Sequence, residues 1–379
     1  MLPPAAALRP SSPVSQAIAL LRFPLVLLVL YLHSLPLMVP FAAEAGFFYQ
    51  LSQLIGQQLA RLAVPMLFIC AGYLLFCRFE WRPGFYRQLL VKKTYTLLLP
   101  FLLWGCLGIG FYAIGLSLPQ TKPWFVNEQK LADFWTFSGF VQSLFGIERS
   151  PLVYPLWFVR DLLIFMLLSP LIFLLIRLVG WWLMLPLALF WLFDIWWLFQ
   201  PALSSTVFFV LGALIALRPF ALKPFAFTPS VLKSSVAKPS VVKACDEQKL
   251  WRFGPLLVGG YVLFQLVNWW YPLPAFFHKL ALLLGLAALW YCALWAIRQP
   301  KLGQALTFSA GSVFFIFASH EPLLTIVRKI SAALLPATVT IQGLLYLLLP
   351  IVLAWVLYQS YRLLAVIAPT CCRVLCGGR

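Results

Sequence analysis

Arg22 and His33 stand in an otherwise apolar run, Leu20 to Pro36, LLRFPLVLLVLYLHSLP. Eleven positions apart, they leave the same face of a helix, separated by about 16 Å along its axis. Three further charged or titratable sets interrupt apolar runs: Arg160-Asp161, Asp194 and His320-Glu321. Ionisable groups in hydrocarbon cost several kcal/mol and persist mainly where they face a bundle interior or a wet cavity, so each is a functional-site candidate. Counting residues from the ends of their runs puts His33, His320 and Arg160 about 20–22 Å above the inner face of a core about 30 Å thick. The coincidence points to one polar site in the outer half of a membrane. Arg22 and Lys93 fall near the inner surface instead. A base toward the outside with cations toward the cytoplasm suits a reaction whose anionic donor enters from within and whose acceptor waits on the far side.

Two of these groups have a plainer reading as well. An Arg160-Asp161 pair also serves as a structural ion pair, and His320 as a hydrogen-bonded core residue. His278, beside Lys279, is most simply interfacial.

The elements that must position these residues are membrane helices. The chain has 379 residues, 63% hydrophobic, 17% aromatic and only 10% charged, with a mean hydropathy of +0.94. Such a composition excludes a soluble globule, and continuous apolar runs exclude an alternating β-barrel. The expected fold is an all-α polytopic membrane protein with about ten transmembrane helices. Their expected positions are 18–39, 59–77, 94–118, 155–177, 181–199, 203–217, 254–271, 275–297, 307–327 and 337–361.

Basic residues set the orientation. Arg78, Arg82, Arg87, Lys92 and Lys93, and then Lys223 through Arg252, fall in alternate connections, whereas the opposite side holds Lys122, Lys130, Arg149, Arg328 and Lys329. Both termini are therefore expected inside. The net charge of +18 reads as this topogenic bias, with no nucleic-acid partner. The inner clusters also have donor-phosphate binding as a secondary role.

One integral-membrane domain is expected over 1–379. Its first six helices occupy about 18–217, a basic cytoplasmic linker 218–252, four more helices about 254–361, and a cytoplasmic tail 362–379. The outer connection from Pro119 to Tyr154, with Trp124 and Trp135, suits a lid or interfacial cap. The tryptophan pairs Trp181-Trp182, Trp196-Trp197 and Trp269-Trp270 read as interfacial belts. Although Ala43-Glu44-Ala45 looks like a cleavage site, the first run is expected to be retained.

No Walker loop, HExxH or GxSxG occurs, which disfavours an ATPase, a zinc protease and a serine hydrolase. Gly108-x-Gly110 lies within an apolar run rather than a phosphate loop. Eight cysteines without CxxC spacing read as reduced or buried thiols, and no metal is expected. Cys371, Cys372 and Cys376 are in the basic tail, where lipidation is an alternative to a simple inner-face end.

Several stretches, taken in order, resemble the membrane-bound acyltransferase-3 family. They are LRFPLVLLVLYLHS around Arg22 and His33, Val64 to Leu75 (VPMLFICAGYLL), Lys92 to Trp104 (KKTYTLLLPFLLW), Pro155 to Pro170 (PLWFVRDLLIFMLLSP) and Ser312 to Leu324 (SVFFIFASHEPLL). One departure is clear. Where the family often carries Arg-x-x-Arg, this chain reads Lys93-Thr94-Tyr95-Thr96, so the second cation must be absent or supplied by Lys92 or Arg87.

The resemblance implies an integral-membrane O-acyltransferase, most often for acetyl, in the bacterial inner membrane. It would move an acyl group from cytoplasmic acyl-CoA to a hydroxyl of a cell-surface polysaccharide, lipopolysaccharide or lipid-linked sugar. His33 would act as general base or carry the acyl group transiently, and Glu321 or Asp161 would orient an imidazole. Arg160 would stabilise an oxyanion, with His320 as a further catalytic candidate. Arg22, Lys92 and Lys93 would hold the donor. The expected partners are the bilayer, acyl-CoA and the glycan acceptor, with self-association left open. A transporter or flippase of an amphipathic lipid or glycan is the alternative, and an inactive anchoring or sensing relative is a third reading.

Overall fold

The computed structural model describes residues 13–44, 46–122, 134–198, 200–218, 242–271 and 273–378. Every regular element among them is helical, as the continuous apolar runs require. Seven helical stretches among the described residues are long and apolar enough to cross a membrane, and the chain is a multi-pass integral membrane protein.

Helix α1, Pro13–Ser34, packs mainly against four long helices. These are α2 (Phe47–Phe76), α10 (Ala275–Ile297), α12 (Ala310–Leu334) and α13 (Val339–Ile367). It ends at Ser34 because Pro36 follows, and a short 3-10 turn at Leu35–Leu37 takes over. Tyr31 locks that end by donating its hydroxyl to the Leu347 carbonyl of α13 at 2.9 Å. His33 is thereby fixed at a helix terminus inside the bundle.

Helix α2 is continuous but passes through a π-helical stretch at Gln53–Leu59. Helix α3, Gly84–Ser117, does the same at Thr94–Leu98, directly after Lys92 and Lys93. The connection that follows α3 contributes α4, Phe137–Phe145; Gly105 and Gly108 of α3 leave room for Leu144 and Val153. Trp124 lies outside the described residues.

The apolar run 155–177 is broken rather than straight. Helix α5, Leu156–Leu167, gives way to α6, Ser169–Val179, with a proline in the first turn of α6. Gly180, at φ +63°, a conformation that favours glycine, then separates α6 from α7, Met184–Leu192. Helix α8, Leu203–Leu217, has 15 residues and is about 22 Å long, short of a 30 Å core. These breaks explain how ten apolar runs correspond to fewer helices of full membrane length. The Arg218 guanidinium donates to the Arg177 carbonyl and the Trp181 indole to the Arg218 carbonyl, both at 2.9 Å. The basic ends of α6 and α8 thus share one level.

Helix α9 covers Val242–Trp270, so its first residues fall within the segment read as a linker. Residues 219–241 of that linker lie outside the described residues. Helix α11, Pro300–Leu306, leads into α12. Helix α13 runs on to Ile367, and α14, Pro369–Leu375, folds back on α3, where the Trp104 indole donates to the Leu375 carbonyl at 3.1 Å. Cys372 and Cys376 are buried there, whereas Cys371 is exposed.

Asp194, read as a buried charge, is instead at the exposed end of α7, where its carboxylate meets the Lys279 ammonium at 2.6 Å. That ammonium also donates to the Trp191 and Leu192 carbonyls, at 2.8 and 3.0 Å, and so satisfies two carbonyls that the helix end leaves open. His278 faces Gln58 and the Leu273 carbonyl.

Candidate active site

His33 and His320 come together from α1 and α12, with ring centroids 5.3 Å apart. The depths counted along the sequence predict this meeting. His33 Nδ1 lies 3.6 Å from Glu321 Oε2, each side chain being 14% exposed. That separation is longer than a hydrogen bond but within ion-pair reach. On its other side His33 meets Tyr154 edge-on at 5.5 Å. Since Tyr154 is 46% exposed, the imidazole lies next to a ring that reaches the surface.

His320 is fully buried. Its Nδ1 faces the Phe317 carbonyl at 2.7 Å, so Nδ1 carries the proton and Nε2 is left as an acceptor. That Nε2 has no hydrogen-bond partner among the described residues. A buried acceptor beside a second imidazole is uncommon in a settled core and fits a group held ready for a ligand's N–H or O–H. Pro322 follows Glu321 within α12 and brings no amide to the Ala318 carbonyl, which loosens the backbone ladder at the level of the site.

Arg160 and Asp161 are buried at the start of α5 but turn elsewhere. Arg160 Nε and Nη2 donate to Asp161 Oδ1 at 3.2 and 3.0 Å, and Nη1 donates to the Phe145 and Gly146 carbonyls at 3.2 and 2.9 Å. Asp161 Oδ2 accepts from the Ala202 amide at 3.0 Å and the Ser205 hydroxyl at 2.6 Å. The pair therefore ties the end of α4 and the start of α8 to α5. Neither side chain has a recorded contact with His33 or His320 among the described residues.

Arg22, Lys92 and Lys93 do come together. They line one cavity of about 580 Å³, joined by Arg78 and Gln88, whose lining also includes Phe317. That volume lies within the ~300–1,000 Å³ common for small-molecule sites. Apolar residues such as Leu25, Val26 and Val159 line the rest. The cavity thus gathers cations from α1, from the turn after α2 and from α3, and it reaches Phe317, whose carbonyl holds His320. Arg87, the alternative cation for the altered Arg-x-x-Arg, is not among its lining residues, whereas Lys92 is.

Three participants escaped the sequence reading: Tyr154, Thr325 and Arg328. Arg328 was expected in an outer connection. Helix α12 instead continues through it, and its Nη1 donates to the His33 carbonyl at 2.7 Å and its Nη2 to the Thr325 hydroxyl at 3.0 Å. The legible signal was the spacing Glu321, Thr325, Arg328, which at i, i+4 and i+7 shares one helix face. Arg78 was legible only as one of the inner basic cluster, because its neighbour Arg22 comes from another part of the chain.

Comparison with known proteins places the chain in a family. Residues 15–359 match the Acyltransferase domain family, Acyl_transf_3. The succinoglycan biosynthesis protein ExoH of Rhizobium meliloti (strain 1021) is similar, 28% identical over 389 residues that cover 97% of this chain and 93% of the relative. No solved structure matches. With nearly its whole length matched, the chain belongs to the acyltransferase-3 family.

Proposed function

We propose that the protein is a membrane O-acyltransferase that takes an acyl group, most simply acetyl, from cytoplasmic acyl-CoA and transfers it to a hydroxyl of a surface polysaccharide, lipopolysaccharide or lipid-linked sugar. The observation that carries this reading is one cavity lined both by Arg22, Arg78, Lys92 and Lys93 and by Phe317, the hydrogen-bond partner of His320. Four cations suit the phosphates of a CoA nucleotide. The apolar walls beyond them suit a thin pantetheine arm, whose thioester supplies the activated acyl carbonyl.

Within that frame His33 is the general base. Glu321 beside Nδ1 favours the tautomer that leaves Nε2 to take the proton of the acceptor hydroxyl. The acceptor oxygen then bonds to the acyl carbon, the C–S bond breaks, and the protonated imidazole returns its proton to the departing thiolate. Tyr154 lies on the exposed side of His33, where an acceptor sugar would approach. Arg160 and Asp161 have a structural part in this account, because their hydrogen-bonding groups are engaged with each other and with α4 and α8. The relative's named part in succinoglycan biosynthesis and the family assignment favour transfer to a glycan over transport of one. The distribution of Lys and Arg supports an orientation with the cavity's cations toward the cytoplasm, and the family resemblance supports the bacterial inner membrane.

Binding of acetyl-CoA and of acetyl-pantetheine, which lacks the nucleotide, to the purified full-length protein tests the donor assignment. Lys92→Gln with Lys93→Gln should weaken acetyl-CoA binding about 10-fold or more and leave acetyl-pantetheine binding unchanged. Equal affinity of wild type and variant for acetyl-CoA would contradict the role of this cavity.

A further inference from the structure

His33 is held twice by one face of α12. Its ring meets Glu321 Oε2 at 3.6 Å, and Glu321 Oε1 accepts from the Thr325 hydroxyl at 3.1 Å. The same hydroxyl oxygen accepts from Arg328 Nη2 at 3.0 Å. Arg328 Nη1 returns to the His33 carbonyl at 2.7 Å. The contacts form a closed circuit from the imidazole, through three side chains one helical turn apart, back to the backbone of the same residue.

Each link has a physical reason. The His33 carbonyl is among the last four of α1, which have no amide partner within the helix. A guanidinium satisfies it with a charge-assisted bond and places a cation at the helix C-terminus, where it is favoured. Thr325 is buried and uses its hydroxyl both ways, giving its proton to a carboxylate and accepting from a guanidinium, as only a hydroxyl side chain can. The carboxylate keeps its second oxygen for the imidazole.

We propose that Thr325 and Arg328 are positioning residues for acyl transfer: together they fix the backbone and the ring of His33 against Glu321. This rests on the reading of His33 as the base. Neither residue touches the donor cavity, so their loss should slow transfer without weakening donor binding. A shift of the base by about 1 Å is enough to cost on the order of 100-fold in rate.

The test uses the full-length chain in cells at matched membrane levels. Acyl groups on surface glycan are followed by mass spectrometry after induction, and binding of acetyl-CoA is measured on the purified protein. Thr325→Val, nearly the same shape without the hydroxyl, should slow acyl installation at least 10-fold with acetyl-CoA affinity unchanged. Thr325→Ser should restore the rate to within about twofold, which a role in shape alone would not give. Arg328→Lys, whose ammonium lacks a planar fork to bridge the His33 carbonyl and Thr325, should be slowed to a similar extent and serves where Thr325→Val does not accumulate. Wild-type rates in either variant would overturn the proposal. So would a rate lost in step with acetyl-CoA affinity. If His33→Ala also kept the wild-type rate, the reading of His33 as base would fail first, whereas loss in His33→Ala with full activity in Thr325→Val removes only the positioning circuit.

Discussion

At the residue scale, the contrast between two carboxylates, Asp161 fully buried and Glu321 partly exposed, separates the catalytic candidates from the scaffold. Glu321 has one oxygen on a hydroxyl and the other toward an imidazole, an arrangement that can respond to a proton moving on His33. Asp161 has its oxygens on a guanidinium, an amide and a hydroxyl, an arrangement that holds three chain segments in register. Removing one partner from a buried pair leaves an uncompensated charge, at a cost of about 3–5 kcal/mol. Asp161→Asn should accordingly lower the unfolding temperature and folded yield of the purified protein, while acyl transfer per folded molecule stays near wild type. Unchanged thermal stability with transfer lost would show that Asp161 acts in the chemistry after all. Residue spacing alone could not make this distinction. Arg160 and His33 count to the same depth, but the carbonyls of Phe145 and Gly146 that capture the guanidinium belong to a helix end and its turn, whose position no periodic pattern encodes. His33 and His320 were legible because both are on long helices, where counting residues measures distance.

At the element scale, the wall of the donor cavity depends on how closely α2 and α8 approach. Gly72 of α2 faces the Phe209 carbonyl of α8, and Gly212 of α8 faces the Ile69 carbonyl of α2; a Cβ at either position would run into backbone. Small residues that let helix backbones touch are a common device in membrane bundles, where hydrocarbon gives helices little other reason to associate. Gly212→Ala should destabilise the bundle by about 1–3 kcal/mol through overpacking, read as a lower unfolding temperature in detergent. Because Cys70 and Leu74 line the cavity from α2, acetyl-CoA binding should weaken as well. An unfolding temperature equal to wild type would mean that α2 and α8 are free to move apart. The helical class of these elements followed from composition alone. Their ends did not: Arg328 lies within α12 because its charge finds a carbonyl and a hydroxyl there, and α14 folds back because Trp104 offers it an indole N–H.

At the scale of the whole molecule, cations from α1, α3 and the turn after α2 line one cavity, and the exposed Tyr154 lies beside His33. The proposed function assigns the donor and acceptor to opposite faces and His33 to the point between them. The general order of sites along the chain was visible in five short sequence stretches, whereas the convergence of Arg22 and Arg78 with Lys92 and Lys93 needed the packing of two helices and a turn. The central claim is that His33 carries a proton for acyl transfer to a surface glycan. It is tested most directly by mass spectrometry of surface glycans from cells that express wild type or His33→Ala at equal membrane levels. General-base loss should remove roughly 10²–10⁴-fold of the rate, so an acyl mass present with wild type should be all but absent with His33→Ala. The same acyl mass at undiminished level with His33→Ala would contradict the account.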